Sequence, residues 1–307
     1  MIRPARTPTR EDVARHYDEL DRLYREVWGE HLHHGLWLGP GESPEAAAEN
    51  LVVRIADRAG LEAHGPGARV CDVGCGYGAP ARFLARRYGA HVLGLTLSPV
   101  QHARAVSEAA SAGFAGPGDS SCSAETSGSS GPAGTPGSLD FLLRDWLDNG
   151  LPGDHFDAVI AVESISHVED KLRFVREAQR TLRAGGRFVL AAWLAGDEPG
   201  WAERRLLLEP ICSEGRLPGL AGRKEYEAWL AEAGFGLVSF EDLSREVRAT
   251  WSICIRRTLR RLFRDRETRR YLLDSTATER AFGLALLRIW LAYRTGALRY
   301  GLFTARG

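Results

Sequence analysis

Net charge is missing from this sequence: 40 lysines and arginines face 40 aspartates and glutamates over 307 residues. Bulk attraction to nucleic acid or to an anionic membrane is therefore not indicated. Cysteine is scarce, five in the chain, and an odd number argues against a disulfide scaffold and fits a reducing compartment. Long apolar runs are lacking too. The opening MIRPARTPTREDVARHY carries charge but no apolar h-region, so no secretory signal is expected. The longest apolar helical stretch, around Ala281 to Tyr293, is interrupted by Arg288 and falls short of the ~20 residues that span a bilayer. These absences predict a cytoplasmic protein with no nucleic-acid partner and no stable membrane insertion. What is present is ordinary for a globular chain, 44% hydrophobic and 26% charged residues, and long enough to bury a substantial core.

The periodicity predicts a helix over about Glu11 to Trp28, with Leu20, Leu23, Tyr24 and Val27 on one side. A Gly/Pro-rich break at Gly35 to Pro44 follows, then a second helix capped by Ser43 with Pro44 at its start. From Ala68 the pattern alternates. Strands are predicted at Arg69–Val73, His91–Leu95, Leu139–Leu143, Phe156–Val162 and Arg187–Trp193, with helices after Gly78, over Pro99–Ala112 and over Asp170–Leu182. Strands alternating with helices mean a parallel sheet with crossover helices, a doubly wound α/β architecture. The run Asp157-Ala-Val-Ile-Ala-Val lacks polar alternation after its first residue, as a strand covered on both faces should. Gly113 to Gly137 is dominated by Gly, Ser, Pro, Ala and Thr and reads as a flexible surface insertion, with an interdomain linker as the alternative. A strand near Gly236–Asp242, a helical region over about Ser252–Leu298 and a last strand Tyr300–Thr304 complete the chain. Three parts follow: a helical cap over 1–50, a core over 51–195, and a C-terminal part over 196–307 that carries the last strands and a helical lid.

Val70-Cys-Asp-Val-Gly-Cys-Gly-Tyr-Gly78 is the most informative segment. A buried strand ends in glycines that let the backbone turn sharply and approach a ligand, with a helix N-terminus behind them. Gly74, Gly76 and Ala79 also fit a loose dinucleotide-binding pattern, so the loop alone does not choose its ligand. Two features discriminate. Asp72 sits inside the strand, where a buried carboxylate is costly unless a cation or donor meets it, and a pyrophosphate would be repelled. Second, a dinucleotide site needs an acid about 20 residues on for the ribose, but the second strand ends Leu95-Thr96-Leu97-Ser98.

VCDVGCGYG, GLTLSPVQ, RDWLDNGLP and FDAVIAVESISHVEDK together resemble a class I S-adenosylmethionine (AdoMet)-dependent methyltransferase. The GLTLSPVQ variant is similar to the small-molecule branch that includes γ-tocopherol methyltransferase, sterol methyltransferases and cyclopropane fatty acid synthases. The resemblance covers nearly the whole chain except the Gly/Ser insertion. It implies a Rossmann-like core and AdoMet as cofactor. It implies contacts from Gly74, Cys75 and Gly76 of the loop, from Asp72, and from Thr96, Leu97 and Gln101, whose hydroxyl and amide replace the ribose-binding acid. HYDEL…YREVWGEHLHHGLW resembles the branch's N-terminal cap, so Tyr17, His33 and Gly35 are expected to cover the cofactor.

For Asp145-Trp146 the resemblance implies adenine contact; a helix cap followed by a core Trp is the alternative. Glu163 ends the fourth strand at the crevice where such sheets bind ligands, and is expected to face cofactor or substrate. His167 fills the slot in E-S-x-x-H-x-x-D-K, either as a general base and substrate partner or as a structural histidine. Catalytic expectations therefore fall on His167 and Glu163, with His34 and Tyr293 as further bases. No metal is expected: His33 and His34 are adjacent and point apart, and i, i+2 spacing with His31 does not converge on one ion. Cys71 and Cys75 read as packing residues. The arginines from Arg256 to Arg266 form a solvated helix face or, alternatively, a peripheral dock for an anionic membrane or an acidic substrate or carrier.

The expected reaction is in-line transfer of a methyl group to C, N or O of a small, hydrophobic or aromatic acceptor. Ser166-His167 stands where cyclopropane synthases carry Glu-His, which disfavours cyclopropanation. A non-catalytic AdoMet-binding regulator and an NAD(P)-dependent reductase are the competing expectations. Nucleic-acid methylation is weaker still, because no N/D-P-P-Y/W element follows the fourth strand.

Overall fold

The computed structural model describes residues 1–114, 137–264 and 280–307. The Gly/Ser-rich stretch, apart from its first two residues and its last, lies outside the described residues, as does the middle of the C-terminal helical region.

Seven strands form one sheet in the order β3-β2-β1-β4-β5-β7-β6. They are β1 (Arg69–Val73), β2 (His91–Thr96), β3 (Leu139–Leu143), β4 (Phe156–Val162), β5 (Leu182–Ala195), β6 (Gly236–Asp242) and β7 (Leu298–Arg306). The first five pair in parallel, and β7 runs antiparallel between β5 and β6. The strand order reverses beside β1, where β2 lies on one side and β4 on the other. At such a switch point the loops leaving neighbouring strand ends diverge and open a crevice.

Period-2 alternation sends side chains to two cores. Val70, Ile160, Val189 and Leu302 face one side, under α2 (Pro44–Ala59) with its buried Leu51, Val52 and Ile55. Each such side chain contributes ~1.5–3 kcal/mol when withdrawn from water. Cys71, Val159, Leu190 and Phe303 face the other, against Phe174 and Val175 of α6 (Lys171–Thr181) and Tyr226 of α9 (Arg223–Glu232). A turn α3 (Leu61–His64) leads into β1, and α4 (Ala79–Tyr88) and α5 (Pro99–Ser111) form the crossovers from β1 to β2 and from β2 to β3.

The cap helix α1 (Arg10–Val27) begins at a reciprocal capping box between Thr9 and Asp12 and buries Leu20, Leu23 and Val27. It packs against α5 and α11 (Ala249–Arg264), and Arg257 of α11 donates to the carbonyls of Val27 and Trp28 at its C-terminal end. Arg257 and Arg261 also pair with Glu45 and Glu26, so part of the arginine stripe binds the cap and is not solvated.

Two places differ from the sequence expectation. β5 starts at Leu182 and not at the expected Arg187; the strand pairs Leu182 with Phe156 and then resumes at Arg187 with Ala158 after an irregularity. Residues 201–232, unassigned from the sequence, hold α7 (Trp201–Glu203), a π turn at Arg204–Leu208, α8 (Glu209–Glu214) and α9. A turn α10 (Ser244–Val247) precedes α11, and α12 (Arg280–Thr295) leads into β7. Among the described residues no helix is long and apolar enough to cross a membrane.

Candidate active site

A cleft of about 1210 Å³ lies beyond the C-terminal ends of β1, β2 and β4, between the sheet, α1 and the α8–α12 region. Single-ligand pockets commonly span ~300–1,000 Å³, so this one has room for a cofactor and an acceptor side by side.

Its first end is built by the glycine loop. Gly74 and Gly76 line the cleft with φ of +78° and +56°. A Cβ on Gly74 would stand 2.3 Å from that of Ser164, so only glycine lets β1 pass so close to the β4 turn. Both Gly74 and Cys75 donate their N–H to the Leu95 carbonyl, which ties the loop to β2. Across from it, Thr96, Leu97 and Gln101 line the cleft. The Thr96 hydroxyl donates to the Gln101 amide carbonyl at 2.8 Å, orienting that amide. Ser98 caps α5 through the Gln101 N–H, and its hydroxyl donates to Asp18 of the cap at 2.5 Å.

Asp72 is 1% exposed and its Oδ2 has no hydrogen-bond partner among the described residues. Burial lifts its carboxyl to about 7. A buried, orphaned carboxylate beside a glycine loop is a group awaiting a cation or donor. The donor amide of Gln101, oriented by Thr96, and the close-approach backbone at Gly74 complete a set that fits a cationic nucleoside: a carboxylate for its amino-acid part and an uncharged amide donor for a ribose diol.

Asp145 and Trp146 line the same end. Asp145 caps the short helix that follows it, accepting from Leu147 N–H, and its other oxygen meets the Arg10 guanidinium. Trp146 is buried and donates its indole N–H to the Phe174 carbonyl at 3.0 Å. Both therefore carry the structural contacts of the alternative reading while still facing the cleft.

Four expected cofactor residues are not among those lining this cleft: the buried Asp72, His33, Gly35 and Cys75. His33 and Gly35 line a second cavity of about 390 Å³ between the end of α1, the start of α2 and α11. His33 is turned there because its ring is fixed on both sides, Nδ1 on the His34 carbonyl at 2.8 Å and Nε2 on His31 at 3.0 Å. Gly35 packs against Ala47, where a Cβ would lie 2.8 Å from the alanine's own. Cys75 points under the loop, its sulfur 2.9 Å from where a Cβ on Gly94 would lie. Burial holds its thiol well above the usual range.

The second end is aromatic. Tyr17, Tyr24, Trp28, Trp193 and Trp251 line it with His16, His34 and His167. His167 Nδ1 lies 3.4 Å from the Arg216 carbonyl, which only accepts, so Nδ1 carries the proton. That leaves the Nε2 lone pair for the Tyr17 hydroxyl at 2.8 Å. Burial lowers the His167 imidazole to about 4, against the opposing pull of the Arg216 carbonyl. Tyr17 moves the other way, its phenol pushed well above its ordinary range by burial. The pair is thus a neutral base hydrogen-bonded to a neutral phenol.

Glu163 departs from the catalytic expectation. Its backbone is left-handed at φ +61°, and its carboxylate is held by four donors. Oε1 accepts from His34 N–H, His34 Nδ1 and the Tyr300 hydroxyl, at 2.8, 2.9 and 2.9 Å, and Oε2 accepts from Trp193 Nε1 at 2.8 Å. Burial pushes its carboxyl up, but the His34 ring and its hydrogen bonds outweigh this and hold it down at about 2. A carboxylate so weakly basic and so fully engaged anchors its neighbours and does not accept a substrate proton. His34 is used up in the same network: the Trp251 indole donates to its Nε2 at 2.7 Å, and the Tyr293 hydroxyl lies 3.1 Å away. Trp193 and Tyr300 were not foreseen as part of the site, because nothing local in the sequence ties these aromatics to Glu163.

The chain matches the model of a methyltransferase domain over residues 45–239. It is 31% identical over 247 residues to 27-O-demethylrifamycin SV methyltransferase of Amycolatopsis mediterranei, covering 80% of this chain and 81% of that protein. It is 30% identical to the chloroplastic tocopherol O-methyltransferase of Arabidopsis thaliana, covering 81% and 70%. Among solved structures, the cyclopropane synthase MmaA2 from Mycobacterium tuberculosis superposes with a TM-score of 0.77 at 21% identity, covering 99% and 100%. Geranyl diphosphate C-methyltransferase from Streptomyces coelicolor, in complex with Mg²⁺, geranyl diphosphate and S-adenosyl-L-homocysteine, gives 0.66 at 22%, covering 99% and 98%. With the strand order, the glycine loop and the orphaned Asp72 already in view, the chain belongs to the methyltransferase-domain family and is a class I S-adenosylmethionine-dependent methyltransferase.

Proposed function

We propose that the protein methylates a hydroxyl oxygen of a small hydrophobic or aromatic molecule bound at the aromatic end of the cleft. The observation that carries this reading is the His167–Tyr17 pair, a neutral imidazole with its Nε2 lone pair aimed at a hydroxyl inside the cavity. Relatives at 30% identity or above include two whose names point to oxygen, the tocopherol O-methyltransferase and the 27-O-demethylrifamycin SV methyltransferase, beside a glycine/sarcosine/dimethylglycine N-methyltransferase, so the choice of oxygen rests on the His167–Tyr17 pair.

When bound, S-adenosylmethionine supplies a methyl group already activated on a sulfonium. Asp72, Thr96, Leu97 and Gln101, with the Gly74–Gly76 backbone, would hold it. Asp145 and Trp146 would bound its adenine side. The protein's own work is alignment and exclusion of water. Trp193 and Trp251 are fixed by hydrogen bonds to Glu163 and His34, so they wall the acceptor end without freedom to swing. The acceptor hydroxyl gives its proton to His167 Nε2, directly or through the Tyr17 hydroxyl. The Arg216 carbonyl, already on Nδ1, steadies the imidazolium that forms.

Purified protein incubated with methyl-labelled S-adenosylmethionine and fractionated pools of small molecules should transfer label to a hydroxylated fraction, as an O-methyl group by mass spectrometry. His167→Ala should lower kcat by about 10²–10⁴-fold and leave nucleoside affinity within about twofold. Label found only on carbon or nitrogen, or an undiminished His167→Ala variant, would contradict the reading.

A further inference from the structure

We propose that Arg216 selects the acceptor by receiving a carboxylate on the molecule to be methylated. This rests on the reading of the aromatic end as the acceptor site. Arg216 lies just after α8, lines the cleft half-buried, and presents its backbone carbonyl to His167. Its φ of +53° is a left-handed conformation that a residue with a Cβ adopts only at a cost, and such cost is commonly carried at binding sites.

The other guanidinium groups of the cleft have work. Arg10 meets Asp145, Arg144 donates to the Asn149 carbonyl, Arg173 donates to the Leu147 carbonyl, and the mostly exposed Arg15 lies beside Asp12. Among the described residues the Arg216 guanidinium has neither an ion pair nor a hydrogen bond. The acids of the cleft do not balance it. Glu163 is saturated, Glu214 is taken by Arg288, and Asp145 by Arg10. Asp12 and Asp170 cap helices, and Glu11, Glu19 and Glu169 are exposed.

The charge of Arg216 is felt inside. The His16 imidazole is lowered to about 3, first by burial and then by His167 and Arg216. Two neutral imidazoles and one uncompensated guanidinium therefore face the acceptor end. A planar fork of donors in a half-dry aromatic cavity matches a carboxylate in shape and charge. A guanidinium lining the same cleft would fix which oxygen of a hydroxy acid is presented to the base.

The test uses a matched pair of neutral-bodied probes, 4-phenylbutanoate and its methyl ester, titrated into the protein while tryptophan fluorescence from the cleft is followed. The wild type should bind the acid about tenfold or more tighter than the ester. Arg216→Lys should keep part of that preference. Arg216→Asn should lose it with ester affinity unchanged; Asn tolerates the left-handed backbone, so the carbonyl on His167 stays in place. Arg216→Gln gives the same comparison should the Asn variant fail to fold. Equal affinities in the wild type, no binding of the acid, or a preference that survives in both uncharged variants would overturn the proposal. S-adenosylhomocysteine is titrated into the same samples. Binding of that nucleoside without an acid preference removes only the role of Arg216, whereas no nucleoside binding removes the methyltransferase reading beneath it.

Discussion

Two buried titratable groups set how the site responds to pH. Asp72 has a buried oxygen without a partner among the described residues and is raised to about 7 by burial; His167 is neutral, lowered to about 4 by burial. Their signs have opposite consequences. The unfolded chain releases the Asp72 proton above pH ~4, while the folded, ligand-free chain keeps it until about 7, so stability falls as pH rises through that window and levels off beyond it. Asp72→Asn should remove this fall and make the ligand-free protein more stable at pH 8 by on the order of 2–4 kcal/mol, measured by urea denaturation at pH 5 and pH 8. An unchanged pH slope in the variant would mean that the carboxyl already has a partner. Both residues were marked by the sequence, Asp72 by its place in a strand before three glycines and His167 by its place after the fourth strand. The aim of His167 at Tyr17, 150 residues away, depends on tertiary contact alone.

At the scale of elements, the glycine loop shows two kinds of requirement in three residues. Gly74 needs glycine twice, for its φ of +78° and for the 2.3 Å approach to Ser164; Gly76 needs it once, for φ +56°, with nothing nearer than Leu32 at 3.8 Å. Gly74→Ala should therefore cost about 3 kcal/mol or more, because the β4 turn must move, and Gly76→Ala about 1 kcal/mol. Comparing midpoints of chemical denaturation checks the order, and equal costs would show that the β4 turn yields freely. The strands around the loop were legible because each is a short apolar run between turn residues: β1, β3, β4 and β6 begin and end where the sequence places them. The expected fifth strand began at Arg187, yet β5 starts at Leu182 and takes in Gly185-Gly186 with an irregularity opposite Phe156 and Ala158. No element was assigned between the fifth and sixth strands, where α7, the π turn, α8 and α9 lie. The cap was placed correctly as a helix, but His33 and Gly35 face the second cavity, since hydrogen bonds to His34 and packing on Ala47 decide their direction and no local pattern records them.

Across the whole molecule, Glu163 joins parts that are far apart in the chain. The cap brings His34, β5 brings Trp193, β7 brings Tyr300, and through His34 the helices α11 and α12 bring Trp251 and Tyr293. This junction turns a strand-end carboxylate, expected to do chemistry, into the anchor of the acceptor wall. The division of the cleft into a nucleoside end and an acceptor end rests on it. Calorimetric titration with S-adenosylhomocysteine, on wild type and Asp72→Asn at pH 6 and pH 8, tests that division most directly. The account predicts one site per chain, tighter binding at pH 8 because Asp72 is then ionised, and a loss of about tenfold or more with no pH preference in the variant. No binding by the wild type, or a variant that binds as well as the wild type at both pH values, would contradict it.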